Sequence, residues 1–188
     1  FDPLTDKDKL HPREGKRFRE VELPPGLVNW HDPGFDVSQW QSGRAPIGVG
    51  EFKAWEHGAM WTATPDRTVE NTSAWGTGEF LLMRNTFEVP DLSHSRYRIS
   101  ILANQGYDIY LNGHKIHTFP WFSFYPKYHR IMLGEPETRH LKKGSNTLAV
   151  FSCVRYEQDP KADQKFHPIG QMDLFIEGLR MEEIGLAR

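Results

Sequence analysis

The fold is decided by residues 96–119, which read RYRISILANQGYDIYLNGHKIHTF. Apolar and polar residues alternate strictly over Arg96–Ala103, as expected of a strand with one buried face. Two further strands, Tyr107–Leu111 and Lys115–Phe119, flank Asn112-Gly113, the dipeptide that most strongly favours a two-residue hairpin turn. This stretch therefore predicts three antiparallel strands.

Outside this stretch the chain continues in the same way, with short apolar runs between turn residues. Further strands are predicted at residues 17–23, 79–89, 128–133, 147–154 and 169–179. No segment has convincing helical periodicity, apart from one turn at Asp36–Trp40 with Asp36 as its cap. We therefore expect an all-β antiparallel β-sandwich, a jelly roll of about eight strands, over residues 17–188. Residues 1–16 are charged and proline-containing, and are interpreted as a linker or terminal arm.

Composition removes several classes of protein. The 188 residues carry a formal charge of −2, so the chain lacks the positive field of a dedicated nucleic-acid binder. No apolar run is long enough for a membrane span. Cys153 is the only cysteine, so no intrachain disulfide can form. A single cysteine among apolar neighbours is expected to be a buried side chain that packs in the core. The chain begins at Phe1 without a signal-peptide pattern, and we expect a processed chain or a fragment of a longer one.

Several motifs occur in an order that resembles a known family. They are FDVSQW (35–40), APIGVG (45–50), LMRNTFEVP (82–90), YDIYLNG (107–113), KGSNTLAV (143–150) and MDLFIEG (172–178). This succession resembles the galactose-binding-like jelly-roll modules attached to bacterial glycoside hydrolases and related polysaccharide-processing enzymes. The resemblance spans roughly residues 20–180.

The resemblance implies a non-catalytic carbohydrate-binding module, acting beside a glycan-degrading catalytic domain of the same parent chain. It also implies a secreted, periplasmic or cell-surface protein. The alternative is a structural or interaction domain of a larger multidomain hydrolase with no ligand of its own. No cofactor is expected, although the family allows a structural calcium held by loop carboxylates and carbonyls, so the metal content stays undetermined.

A catalytic function has little support in the sequence, and a small hydrolase is the third hypothesis. No pair of carboxylates stands out as the acid and nucleophile of a glycosidase. The chain lacks G-x-S-x-G and the phosphate-binding glycine loops. Of nine histidines, His114 and His117 are three apart on a predicted strand, so we expect opposite faces and no shared metal.

Aromatic residues, 13% of the chain, supply the candidate binding site. The segment FPWFSFYPKYH (119–129) has prolines at both 120 and 126, which argues against a central strand. Exposed rings can stack on the flat C–H faces of sugars while polar neighbours bond the hydroxyls. The predicted ligand-binding residues are Trp121, Tyr125, Asn104, Tyr107 and His117.

A second surface competes with this one. Residues 24–78 hold five of the six tryptophans and show little periodicity, which favours functional loops. Within them Trp55, Trp61 and Trp75 form the competing candidate group.

Overall fold

A computed structural model describes most of the strands and the turns that join them. The described residues are 23–48, 51–54, 67–70, 73, 75, 80–94, 96–103, 106–119, 128–153 and 171–180. The predicted arm at 1–16 lies outside them, as does all but Leu23 of the predicted first strand.

Ten strands and two short helical turns make up the described part. The strands are β1 (Ile47–Gly48), β2 (Glu51–Ala54), β3 (Arg67–Glu70), β4 (Phe80–Val89), β5 (Arg96–Ala103), β6 (Tyr107–Leu111), β7 (His114–Phe119), β8 (Tyr128–Leu133), β9 (Gly144–Cys153) and β10 (Gln171–Leu179). A 3-10 turn covers Pro25–Leu27, and a one-turn helix, α1 (Glu135–Thr138), follows β8.

The strands form a jelly roll, which confirms the predicted fold. The front sheet has the order β1-β10-β5-β8 and the back sheet has the order β4-β9-β6-β7, while β2 and β3 pair separately. All the strand pairs within these sheets are antiparallel. Counting only the eight sandwich strands along the chain, the orders become 1-8-3-6 and 2-7-4-5. This is the jelly-roll arrangement, in which the chain passes from sheet to sheet.

The core lies between the two sheets because alternate residues of each strand face inward. Ile99 and Ile101 of β5 and Met172 of β10 are fully buried from the front sheet. Ile109 of β6 and Val150 of β9 meet them from the back sheet. The inward rows predicted for β5 and β10 are therefore confirmed, and Phe175 on the opposite face of β10 is exposed. The prediction that the other face of β5 is exposed is wrong at Ser100 and Leu102, which are 2% and 0% exposed.

Two asparagines order the turns. Asn112 and Gly113 both adopt positive φ angles, 49° and 86°, as the predicted hairpin demands. The Asn112 side-chain amide donates to the carboxamide oxygen of Asn146, at 2.8 Å. Asn146 Oδ1 also accepts from the Lys142 amide, so one buried asparagine links the entry of β9 to the hairpin. Gly144, with φ 89°, makes the preceding turn.

The segment 23–40, hereafter the cover segment, lies on the outer face of the back sheet. Trp30 is 2% exposed and packs with Ala149 and Phe151 of β9. Arg84 of β4 donates to the Phe35 carbonyl at 3.0 Å, which ties the segment to the sheet. The Asp36 carboxylate accepts from the Ser38 amide at 2.9 Å, so Asp36 caps a turn there.

The cover segment corrects one expectation. The tryptophan-rich stretch, residues 24–78, is interpreted from the sequence as functional loops because it lacks periodicity, but its cover segment packs against the back sheet and buries Trp30 there. An irregular segment can bury individual large aromatic rings without any regular period of apolar residues in its sequence.

The sandwich has two ends. At the first, the turn end, lie the β4–β5 turn, the Asn112-Gly113 turn and the β8–β9 connection with α1. At the second, the loop end, β6 and β8 begin and β5 and β7 finish. No described helix is long and apolar enough to cross a membrane.

Candidate functional site

Four side chains at the loop end form a cluster that we call the imidazole–aromatic cluster: Tyr107, His117, Phe119 and His129. Phe119 stacks on Tyr107 at 5.4 Å between ring centroids and meets His129 edge-on at 4.9 Å. The Tyr107 and His117 ring centroids are 6.0 Å apart. The cluster therefore unites two residues of the predicted site with two that were not selected.

Strand topology explains why these four residues meet. β7 is the outer strand of the back sheet and β8 is the outer strand of the front sheet, on the same side of the sandwich. His117 and Phe119 come from β7, and His129 is the second residue of β8. Residues 120–127 join the two strands in sequence, so the cluster bridges two sheet edges at the base of that connection.

A β-bulge sets the direction of the β7 side chains. The register between β6 and β7 shifts after Ile109, which pairs with His117, while Leu111 pairs with His114. Cross-strand partners share a face, and both Ile109 and Leu111 face the core. His114 and His117 thus lie on the same face, and the expectation of opposite faces was wrong because a bulge inserts one residue between them.

Burial sets the protonation of the cluster. Desolvation lowers the pKa of the half-buried His117 below its usual value, although Asp108 and Glu137 oppose this. The ring is therefore neutral at pH 7 and offers one donor and one acceptor nitrogen. Burial also raises the pKa of Tyr107, whose hydroxyl stays protonated and lies 3.3 Å from His129 Nδ1.

The predicted ligand-binding residues divide into two groups. Asn104, Trp121 and Tyr125 lie outside the described residues, so their role stays a prediction. Tyr107 is fully buried and His117 is half-buried. Tyr107 is inaccessible to a ligand in this structure, because it is 0% exposed. The role of His117 stays a prediction.

His129 and Phe119 were missed for identifiable reasons. Phe119 is two residues after His117 on one strand, so the alternation places both on one face. His129 comes from the other sheet, and only the tertiary fold brings it to Phe119. The sequence offered two signals, namely the shared face of His117 and Phe119 and the position of Phe119 and His129 at the two ends of the aromatic segment 119–129.

The competing tryptophan group loses one described member. Trp75 is 2% exposed and belongs to the central core, so it is not a binding surface. Trp55 and Trp61 lie outside the described residues. Trp40 of the cover segment is half-buried and stacks on Trp30 at 6.4 Å between centroids.

The buried carboxylates of the described strands have structural partners. Asp108, 2% exposed, accepts from Lys115 Nζ at 3.0 Å and from Thr118 Oγ1 at 2.5 Å. Asp173 accepts from the Tyr128 hydroxyl. A carboxylate held in this way stabilises the sheet surface.

Histidines also meet at the turn end. The exposed His114 stacks on His140 with 3.9 Å between ring centroids. Among the residues that the structure describes, no three His, Cys, Asp or Glu side chains come together as a metal site.

Comparisons with known proteins give structural likenesses only. No protein-family model matches the sequence. Curated proteins give no significant match. Among solved structures, an α-L-rhamnosidase from Aspergillus terreus is 18% identical, with a TM-score of 0.44, covering 57% of this chain and 13% of the rhamnosidase. A family 35 carbohydrate-binding module from an environmental isolate is 11% identical, with a TM-score of 0.35, covering 72% of this chain and 86% of the module. The present chain therefore spans a small part of the rhamnosidase and most of the module.

Proposed function

We propose that this domain is a non-catalytic carbohydrate-binding module whose ligand contacts the loop end of the sandwich. The observation that carries the proposal is the imidazole–aromatic cluster, which places the neutral imidazole of His117 and the imidazole of His129 beside aromatic rings at the junction of both sheets. The jelly roll is a fold on which such sites are built, and the fold alone does not fix a ligand.

The chemistry of the cluster suits hydroxylated ligands. A neutral imidazole both donates and accepts a hydrogen bond, as does a sugar hydroxyl. Phe119, half-buried beside His117, offers an apolar surface for C–H groups. Asn104, Trp121 and Tyr125 belong to the sequence segments that adjoin the cluster, and we propose that they complete the site.

The wider setting is part of the same proposal. The module accompanies a glycan-degrading catalytic domain of one parent chain, and it acts outside the cytoplasm as a secreted, periplasmic or cell-surface protein. Its ligand is a polysaccharide or a fragment of one.

Calorimetric titration with galactose-, glucose- and uronate-containing polymers tests the proposal. The wild type should bind at least one polymer saturably, and His117→Ala should weaken binding about tenfold, as loss of one ligand hydrogen bond predicts. His114→Ala is the matched control, because it removes an exposed histidine from the same strand at the opposite end. No binding across the panel, or equal weakening by both variants, would contradict the proposal.

The alternative is an interaction domain, and one observation favours it. Phe175 and Met132 are 46% and 49% exposed on the outer face of the front sheet. Contiguous exposed apolar surface marks docking sites, whereas single exposed residues are ordinary. If no polymer binds in the titrations although the protein is fully folded, the interaction domain becomes the better-supported function.

A further inference from the structure

Strand β4 (Phe80–Val89) forms one edge of the back sheet, and among the described strands it pairs only with β9. Its register with β9 is unbroken over all 10 residues, so no bulge interrupts the strand. Alternate residues of an edge strand direct their backbone N–H and C=O groups away from the sheet, where another strand can pair with them. β4 therefore presents a long and regular backbone edge.

The side chains of β4 show that this edge is accessible. Every β4 residue before Val89 is exposed or half-buried. In the neighbouring β9, by contrast, all of residues 146–152 are buried. The two strands differ because β9 lies between β4 and β6, whereas β4 has a described strand on one side only.

The other three edges of the two sheets carry features that discourage pairing with a further strand. β1 has 2 residues, β7 contains the bulge and the exposed Lys115, and β8 carries the exposed Arg130. Short length, bulges and charged side chains are the means by which natural sheets protect their edges. β4 contains neither proline nor lysine, and its one arginine, Arg84, donates to the carbonyls of Pro33 and Phe35. β4 is therefore the least protected edge.

The sequence of β4 is suited to pairing with itself. Met83 and Phe87 lie two residues on either side of Asn85, and Leu81 and Val89 lie four residues away. These five residues share one face of the strand, because side chains alternate with a period of two. In an antiparallel pair with its two-fold axis at Asn85, Met83 lies opposite Phe87 of the second copy, and Asn85 lies opposite Asn85. Apolar side chains thus meet apolar ones, and a carboxamide, which both donates and accepts, meets its own copy.

The opposite face of β4 tolerates the same register. Arg84 then lies opposite Thr86 of the second copy, and Leu82 lies opposite Glu88. Like charges directly opposite each other destabilise a strand pair, and here none meet.

We infer that β4 pairs antiparallel with β4 of a second copy of this chain, which joins two four-stranded back sheets into one continuous sheet. Association closes at the dimer, because a two-fold axis uses the same edge of both copies. One added strand pair makes a small interface, so the dissociation constant should be on the order of 1–100 µM. β4 lies at the opposite edge of the sheet from β7, so this contact does not depend on the proposed carbohydrate site.

Analytical ultracentrifugation of the full chain tests this contact over concentrations from about 1 to about 500 µM, which include the expected dissociation constant. The wild type should change from monomer to dimer over this range. Asn85→Lys and Asn85→Asp each place like charges opposite each other, so each should weaken the dimer about tenfold. Because Asn85 is exposed, both variants should melt close to the wild type. Mixed in equal amounts, the two variants should dimerise again, since lysine then faces aspartate across the axis.

His114→Lys is the matched control, because it introduces a lysine at an exposed position on the opposite edge of the same sheet. It should dimerise as the wild type does. A wild type that stays monomeric throughout the range overturns the inference. So does a dimer that Asn85→Lys leaves unchanged, that His114→Lys weakens equally, or that the mixture of Asn85 variants does not restore. Polymer binding by a monomeric wild type refutes the dimer alone and supports the carbohydrate site, so the two proposals fail separately.

Discussion

Replacing Trp30 with alanine should destabilise the protein strongly. Trp30 is 2% exposed, packs on Ala149 and Phe151, and meets the Tyr110 ring edge-on at 5.5 Å. Truncating a fully buried tryptophan costs about 3–5 kcal/mol, since both transfer energy and cavity terms are lost. For a domain of this size, each kcal/mol lowers Tm by about 2–4 °C, which gives a decrease of about 6–20 °C.

Differential scanning calorimetry of wild type and Trp30→Ala measures this decrease directly. Val28→Ala is the matched control, because Val28 lies in the same segment and is 59% exposed. The control should change the free energy of unfolding by less than about 0.5 kcal/mol. A Trp30→Ala protein that melts within about 2 °C of the wild type, well short of the expected decrease of about 6–20 °C, would refute the packing of the cover segment.

Three further predictions concern the turns and the titration of the core. Asn146→Ala should lower the free energy of unfolding by about 2–4 kcal/mol in urea titrations, because the buried carboxamide loses its hydrogen bonds to Asn112, Lys142 and Gly144; a loss under about 1 kcal/mol would contradict this. Gly113→Ala should cost about 1–3 kcal/mol, since φ is +86° and the new Cβ would lie 2.9 Å from Asp32 Oδ1. Gly26→Ala, with open space around it, is the control and should change little. His117 has a lowered pKa in the folded state, so the unfolded chain binds its proton first as the pH falls below the ordinary value of 6.5. Stability should therefore be complete above that pH and decline below it, with a smaller slope in His117→Gln; an identical slope would exclude His117 as a source.

Much of the fold was predictable because local sequence patterns, such as strand alternation and turn dipeptides, determine it. The alternation in Arg96–Ala103 identifies the inward face of β5 without any tertiary information. Asn112-Gly113 specifies its own turn, since few other residue pairs adopt two consecutive positive φ angles.

The features that escaped prediction depend on contacts between distant parts of the chain. Trp30 belongs to an irregular segment, and only the outer face of the back sheet explains its burial. The bulge that turns His114 and His117 to one face has no marker in the sequence. A cavity at the turn end is lined by Tyr97 of β5 and by Leu133 of β8, which are far apart in sequence. Only the folded structure brings them together.

The same distinction applies to the candidate binding site. The many aromatic residues at 119–129 predict a binding site at the loop end. His117 is predicted to belong to it because it lies close to the Asn112-Gly113 hairpin. Tyr107 was selected on equal grounds, yet it points between the sheets because Tyr107, Ile109 and Leu111 form the inward row of β6. Residue types in the sequence indicated the region of the site, whereas the strand register determines which of its side chains are accessible.

The most direct measurement follows the imidazole signals of the protein by NMR during addition of the best-binding polysaccharide fragment. Saturable shifts of the His117 and His129 resonances are expected, with the His114 and His140 resonances nearly unchanged. Shifts confined to the turn-end histidines, or no shift at any histidine despite measurable binding, would contradict a carbohydrate site at the loop end.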